Sequence, residues 1–293
     1  VKNADICINL IGILFEKGKN NTFENIHEKF PIFLASLCKE YNLEQFIHLS
    51  ALGIEQAINS KYAQSKLNAE KFIKKKFENY TILKPSVVYS VDDNFTTNFM
   101  SLLSLLPFFP LYYSGNTKFS PIHCSDLTNI IYNIIFKNIN SLTLECVGPE
   151  ILSLKEILQR LLKLIDKKRL LIPIPLLFAK LTAIFFQLFP KPAITLDQIR
   201  LLKYDNIPSG KYKTNLDIGL KNLDNESCAR LNVIKSFPQL PSFKHKYSRG
   251  SCFIVAGDSF VFASKLSVTK FPQAFECGSI MRIRVLCKFV YTC

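Results

Sequence analysis

Three short apolar runs separated by two helix-spaced stretches constrain this chain more than any other feature. Ala4 to Gly12 is a compact apolar segment closing on a glycine, as a buried strand of a parallel sheet does. From about Phe23 to Tyr41, Ile26, Phe30, Phe33, Leu34, Leu37 and Cys38 recur at helical spacing. Phe46 to Ser50 is a second strand pattern, Ser60 to about Lys75 a second helix, and Tyr80 to Pro85 a third strand stopped by proline. Strand, helix, strand, helix, strand predicts an α/β fold with a parallel sheet and helices on both faces.

The second helix carries Tyr62 and Lys66. Residues four apart share a helix face, so phenol and ammonium can lie side by side. A lysine cation favours the phenolate and lowers its pKa from about 10, which makes a tyrosine a proton donor or acceptor near neutrality. Twelve residues before Tyr62, Ser50 closes the second strand and supplies a hydroxyl. Tyr62, Lys66 and Ser50 are the candidate catalytic residues. An ordinary exposed helix pair would show the same spacing.

The segments "INLIGIL", "FENIHEKF", "FIHLSALG", "YAQSKLNAE" and "LKPSVVY" resemble the extended, atypical branch of the short-chain dehydrogenase/reductases. "TKFSPIHCSDL", "VGPEILSLKEIL", "IPIPLLFAKLTAIFFQLFPKP" and "TLDQIRLLKYDNI" are similar to the NAD(P)H-binding accessory subunit of respiratory complex I and its bacterial relatives. The likeness runs in order from about residue 1 to about residue 225. It implies a doubly wound, Rossmann-like sheet, NADP or NAD as cofactor with NADPH favoured, and respiratory complex I subunits as partners. It places the protein on the matrix side of the mitochondrial inner membrane, or in a bacterial cytoplasm against the inner membrane. By the same likeness Leu10, Ile11, Gly12, Ser50, Tyr62, Lys66, Pro85, Ser86 and Val88 line the cofactor. A strand end at Leu10 to Gly12 and a strand-ending Pro85 would look the same without a ligand.

Two departures shape the expectation. A glycine-rich turn that cradles pyrophosphate at a helix N-terminus is missing, and the chain has only ten glycines. The resemblance opens at what would be the fourth strand, so we read an N-terminally truncated sequence lacking the first three. The strand ending at Gly12 should then be an open, aggregation-prone edge, the chain should bind nucleotide weakly and fold poorly, and the residue choosing NAD or NADP is out of reach. Relatives with epimerase or reductase chemistry close the second strand with two hydroxyl residues, whereas Ala51 follows Ser50 here. In an extended strand Ser50 would point to the other side. The resemblance therefore implies a non-catalytic accessory or assembly subunit of NADH:ubiquinone oxidoreductase with weak or absent turnover. The alternatives are an active NAD(P)-dependent oxidoreductase or sugar-nucleotide epimerase/dehydratase using Tyr62 and Lys66, and a dinucleotide-sensing regulator.

Beyond the sheet, Asp126 is placed to N-cap a helix after "FSPIH", and Ser153 with Glu156 has capping-box spacing ahead of a helix over Ile157 to Ile165. Leu170 to Pro190 is strongly apolar but broken by prolines, too short between Pro175 and Pro190 for a bilayer span of about twenty residues. It reads as a core helix or a helix lying on a membrane, so 170–190 is a candidate peripheral membrane contact. Gly210 to Gly219 reads as a loop. The expected organisation is a partial dinucleotide-binding domain over 1–150, a smaller substrate or partner domain over 151–230, and an unmatched tail over 231–293 that reads as non-native sequence or an added small domain.

The net charge of +14 comes from 37 basic against 23 acidic residues, with the lysines dispersed. No zinc-finger spacing or RNA-recognition motif accompanies them, and we predict no nucleic-acid partner. His27, His48, His123 and His245 lack metal spacing with the nine cysteines, so no metal is assigned. Cys7, Cys38 and Cys146 fall in apolar runs and read as buried free thiols.

Overall fold

The computed structural model describes residues 4–90, 93–178, 183, 194–220 and 252–255. The expected alternation is present: β1 (Ile6–Asn9), a π-turn at Glu24–Lys29 running into α1 (Phe30–Glu40), β2 (Gln45–Leu49), α2 (Lys61–Lys76) and β3 (Tyr80–Pro85). After the short β4 (Val88–Tyr89) come α3 (Asn94–Leu105), β5 (Phe108–Leu111), β6 (Lys118–Phe119), β7 (Ile122–His123), α4 (Cys124–Phe136) and β8 (Leu142–Cys146). Then follow β9 (Leu152–Ser153), α5 (Leu154–Leu164), β10 (Leu170–Pro173), α6 (Leu196–Leu201), β11 (Lys213–Thr214) and β12 (Cys252–Val255).

Six strands form one sheet in the order β11-β8-β3-β2-β1-β12, every neighbouring pair parallel. Alternation along the strands splits their side chains between two layers. Ile6, Ile8, Ile47, Leu49, Leu83 and Leu144 pack with Leu127, Ile130 and Ile134 of α4. Cys7, Phe46 and Ile82 pack instead with Leu34, Ala35 and Cys38 of α1 and Ile73 of α2. Both faces are covered, so the strands are buried along nearly their whole length, including polar members such as Gln45, Thr81, Lys84 and Glu145. Away from this sheet, Leu103, Phe109, Leu111, Phe119, Leu154 and Leu158 hold α3 and α5 against the β5–β10 and β6–β9 ribbons.

Several expectations need correction. The outer edge of β1 is not open: Cys252–Val255 pairs with it in register Ile6 to Cys252 through Asn9 to Val255. Four residues of the tail thus flank β1 on that side; the other tail residues lie outside the described residues. Asp126 is a buried residue inside the first turn of α4, and the cap is His123, whose Nδ1 accepts from the Ser125 N–H at 3.2 Å. Leu170–Pro173 is a strand beside β5 rather than part of a helix. Of the rest of that apolar block, 176–178 are helical, while 179–182 and 184–190 lie outside the described residues. Lys213–Thr214, inside the expected loop, extends the main sheet at β8.

Other expectations hold. Ser153 and Glu156 form the capping box, opening α5 at Leu154. Cys7, Cys38 and Cys146 are buried free thiols, and burial pushes the Cys146 thiol far above its ordinary range.

Candidate functional site

The site lies at the carboxyl end of β1 and β2, on the face covered by α1 and α2. Ser60 caps α2 by accepting from the Ala63 N–H at 3.2 Å, so Tyr62 and Lys66 stand in its first two turns. Both are almost fully enclosed, Tyr62 at 5 % and Lys66 at 3 % exposure. The Lys66 ammonium lies over the Tyr62 ring, 5.5 Å from its centroid, and donates to the Leu49 carbonyl at 3.2 Å. An exposed helix pair would do neither. Burial is the main cause that lowers the Lys66 pKa to about 8; Glu70 opposes that shift and Lys84 adds to it.

Gly12 passes close above this pair. A Cβ there would stand 3.6 Å from His27 Nε2 and 3.9 Å from Lys66 Nζ. Ile11 is tied down by its N–H to Asn9 Oδ1 at 3.1 Å, while Leu10 packs into the α4-side core and Ile11 into the opposite one.

Two histidines absent from the predicted site residues lie beside this pair. His27 accepts from the Ile13 N–H through Nε2 at 2.8 Å, so its proton sits on Nδ1, facing Ser65 Oγ at 3.4 Å. Its ring stacks on Phe23 and meets Tyr62 edge-on at 5.0 Å. Burial, then the Lys66 charge, holds it well below the ordinary imidazole range. Because Asn9 Oδ1 already serves Ile11, the amide nitrogen faces His48 Nδ1 at 3.1 Å. His48 is therefore neutral with its proton on Nε2, and burial, with Lys66 and Lys84, lowers its pKa to about 3. That Nε2 has no hydrogen-bond partner among the described residues. The sequence signal for His48 was a histidine set inside a largely apolar strand; His27, in the charged stretch Glu24–Lys29, carried no such signal.

Ser50 goes elsewhere. Its hydroxyl donates to Glu70 Oε1, and Glu70 receives Lys84 Nζ at 2.9 and 3.2 Å, while Lys84 also binds Glu55 Oε1 at 2.5 Å. Burial alone would lower the Lys84 pKa, but Glu70 and Glu55 outweigh it and leave the ammonium raised. Ala51 packs in the apolar cluster that contains Tyr62. A hydroxyl is thus held on a carboxylate network, and a methyl group stands in the layer beside the phenol.

Pro85, Ser86 and Val88 line the turn after β3. Pro85 O accepts from the Leu52 N–H at 2.9 Å, joining that turn to the loop after β2. Ser86 Oγ donates to Asn206 Oδ1 at 2.6 Å and accepts from the Ser120 N–H at 3.0 Å. Val88 is buried in the α4-side core. These three shape the turn, and only Ser86 presents a polar side chain.

A parallel sheet with helices on both faces and a Tyr/Lys pair enclosed at the carboxyl ends of its strands defines a Rossmann-like α/β protein. The crystal structure of gox2253 shares the fold, with TM-score 0.57 and 12% identity over 75% of this chain and 74% of that one. In sequence the chain is similar to the mitochondrial NADH-ubiquinone oxidoreductase 40 kDa subunit of Neurospora crassa, 23% identical over 226 residues, which are 76% of this chain and 59% of that subunit. It is also similar to the mitochondrial NADH dehydrogenase (ubiquinone) 1 alpha subcomplex subunit 9 of Mus musculus, 31% identical over 134 residues, 45% of this chain and 35% of that protein. The chain thus spans from about a third to three fifths of these curated relatives. No family model matches it.

Proposed function

We propose that this chain carries the nicotinamide-ribose half of an NAD(P)H site, NADPH being favoured, and acts as a non-catalytic accessory or assembly subunit of NADH:ubiquinone oxidoreductase. The observation that carries the reading is the division of labour around Lys66. The ammonium is enclosed against Tyr62 and below Gly12, and Leu49 takes one of its three donors. A lysine so placed suits the hydroxyls of a ribose, with Tyr62 on the nicotinamide side. Ser50, by contrast, is committed to Glu70, and Ala51 brings no hydroxyl to the phenol. Such a site holds a cofactor without a proton relay to a substrate.

The similarity to the two respiratory subunits supports the partner and a location on the matrix side of the mitochondrial inner membrane, or its bacterial equivalent. Exposed Leu105, Phe108, Leu170, Leu177 and Phe178 beside exposed Lys167 and Lys168 support peripheral contact with an anionic membrane. Co-sedimentation with anionic but not neutral vesicles tests that contact.

The test of function is an NADPH and NADH titration followed by NMR, paired with affinity purification of the tagged chain. The expected result is weak, saturable binding that Lys66→Met removes, together with recovery of respiratory-chain subunits. Carbonyl turnover abolished by Tyr62→Phe would transfer the protein to the active oxidoreductases. Absence of both nucleotide binding and respiratory partners would end the proposal.

A further inference from the structure

The helix that presents Tyr62 and Lys66 does not finish its own N-terminus. Asp197, 135 residues further on, reaches across to it. Ser60 Oγ donates to Asp197 Oδ2 at 2.6 Å, the Lys61 N–H to Oδ1 at 3.0 Å, and the Tyr62 N–H to Oδ2 at 3.2 Å. A carboxylate there satisfies amides that have no partner within the helix and sits at the positive end of its dipole. Asp197 is itself held by a short helix with its own capping box, Thr195 with Gln198.

The same segment grips the other walls of the site. Leu201 and Tyr204 pack against the cluster that contains Tyr62 and Ala63. Asn206 donates through Nδ2 to the Leu52 carbonyl at 2.6 Å, receives the Ser86 hydroxyl on Oδ1, and sends its own N–H to Lys118 O at 2.7 Å. Gly53 gives way to it: a Cβ there would meet the Asp205 carbonyl at 2.9 Å, and its φ of +76° is itself a glycine conformation. The start of α2, the loop after β2 and the turn after β3 are therefore hydrogen-bonded by one stretch, 195–206.

We propose that Asp197 is a positioning residue for Tyr62 and Lys66, and that 195–206 is a brace fixing the aperture of the nucleotide site. This rests on the NAD(P)H reading above, so the experiment carries one readout that needs nucleotide and one that does not. NADPH affinity by NMR titration and amide hydrogen exchange are measured on the full 293-residue chain, as wild type, Asp197→Ala and Asp197→Asn.

Asp197→Ala should weaken NADPH binding on the order of tenfold, equivalent to about 1.4 kcal/mol. It should speed exchange at Lys61, Tyr62 and Ala63 while β2 and β3 amides stay protected. Asp197→Asn keeps one acceptor oxygen and should recover part of both effects. Unchanged affinity in Asp197→Ala overturns the proposal. So does a loss of protection spread through the sheet, which would make Asp197 a general folding contact. If wild type binds no nucleotide, the NAD(P)H reading fails by itself. The brace then stands if the exchange change is confined to the start of α2, and falls if there is none.

Discussion

The two faces of the same sheet are built from alternate residues of the same strands, yet they do different work. Toward α4, Ile6, Ile8, Ile47, Leu49 and Leu83 meet Leu127, Ile130 and Ile134 without a charged group in the cluster. Toward α1 and α2 the carboxyl ends of β1 and β2 turn polar, with Asn9 and His48 buried beside Lys66 of α2. The first face resembles any close-packed interior, where dispersion and apolar burial set the stability. The second keeps buried polar groups that hydrogen bonds and opposite charges only partly compensate. A fold optimised for stability alone would have both faces alike; the asymmetry falls at the candidate site.

Breaking the buried carboxylate network should have the largest effect. Glu70→Ala removes the shared partner of Ser50 and Lys84 and leaves Lys84 only Glu55 as a paired carboxylate. Loss of one member of a buried ion pair is expected to destabilise by about 3–5 kcal/mol in urea unfolding. Next comes the apolar face. Ile134→Ala, at a fully enclosed position of α4, should cost about 2–4 kcal/mol by the same measurement. Its deficit should be the same at pH 6 and pH 9, because burial holds the Cys146 thiol in that cluster far above this range.

The smallest expected effect has the opposite sign. Folding lowers the Lys66 pKa to about 8 from its ordinary value of 10.5, so between those values the unfolded chain binds more protons than the folded one. Stability contributed at this position therefore rises with pH from about 8 to about 10.5, and below pH 8 the buried ammonium carries its full penalty. Lys66→Met should stabilise the ligand-free chain by roughly 1–3 kcal/mol at pH 7 while abolishing nucleotide binding. The gain should shrink as pH rises from about 8 towards 10.5. A destabilised Lys66→Met chain at pH 7 would mean that the lysine serves the fold, and the contrast between the faces would lose its functional meaning.

The first five elements were legible because their signals are local. Apolar runs of strand length, helix spacing through Phe30 and Cys38, and the stops at Gly12 and Pro85 need no partner to be read. The Ser153–Glu156 box was legible for the same reason: both ends of the interaction lie within one turn. His123 displaced Asp126 as a cap because capping follows from where helical backbone begins, and the sequence leaves that uncertain by a few residues. The Leu170–Pro173 strand was missed because a short apolar run fits strand and helix equally, and the β5 neighbour that decides it lies about sixty residues earlier.

The sequence by itself determined the parallel α/β alternation and put Tyr62 and Lys66 on one helical face, because both follow from backbone periodicity and side-chain polarity over a few residues. Only the tertiary structure decided that Ser50 turns to Glu70, that Asp197 supports the N-terminus of α2, that Asn206 ties the loops together, and that Cys252–Val255 covers the edge of β1. Each of these depends on which distant segment arrives at a hydrogen-bonding group that cannot be left unsatisfied once buried. Spacing along the chain carries no record of that arrival.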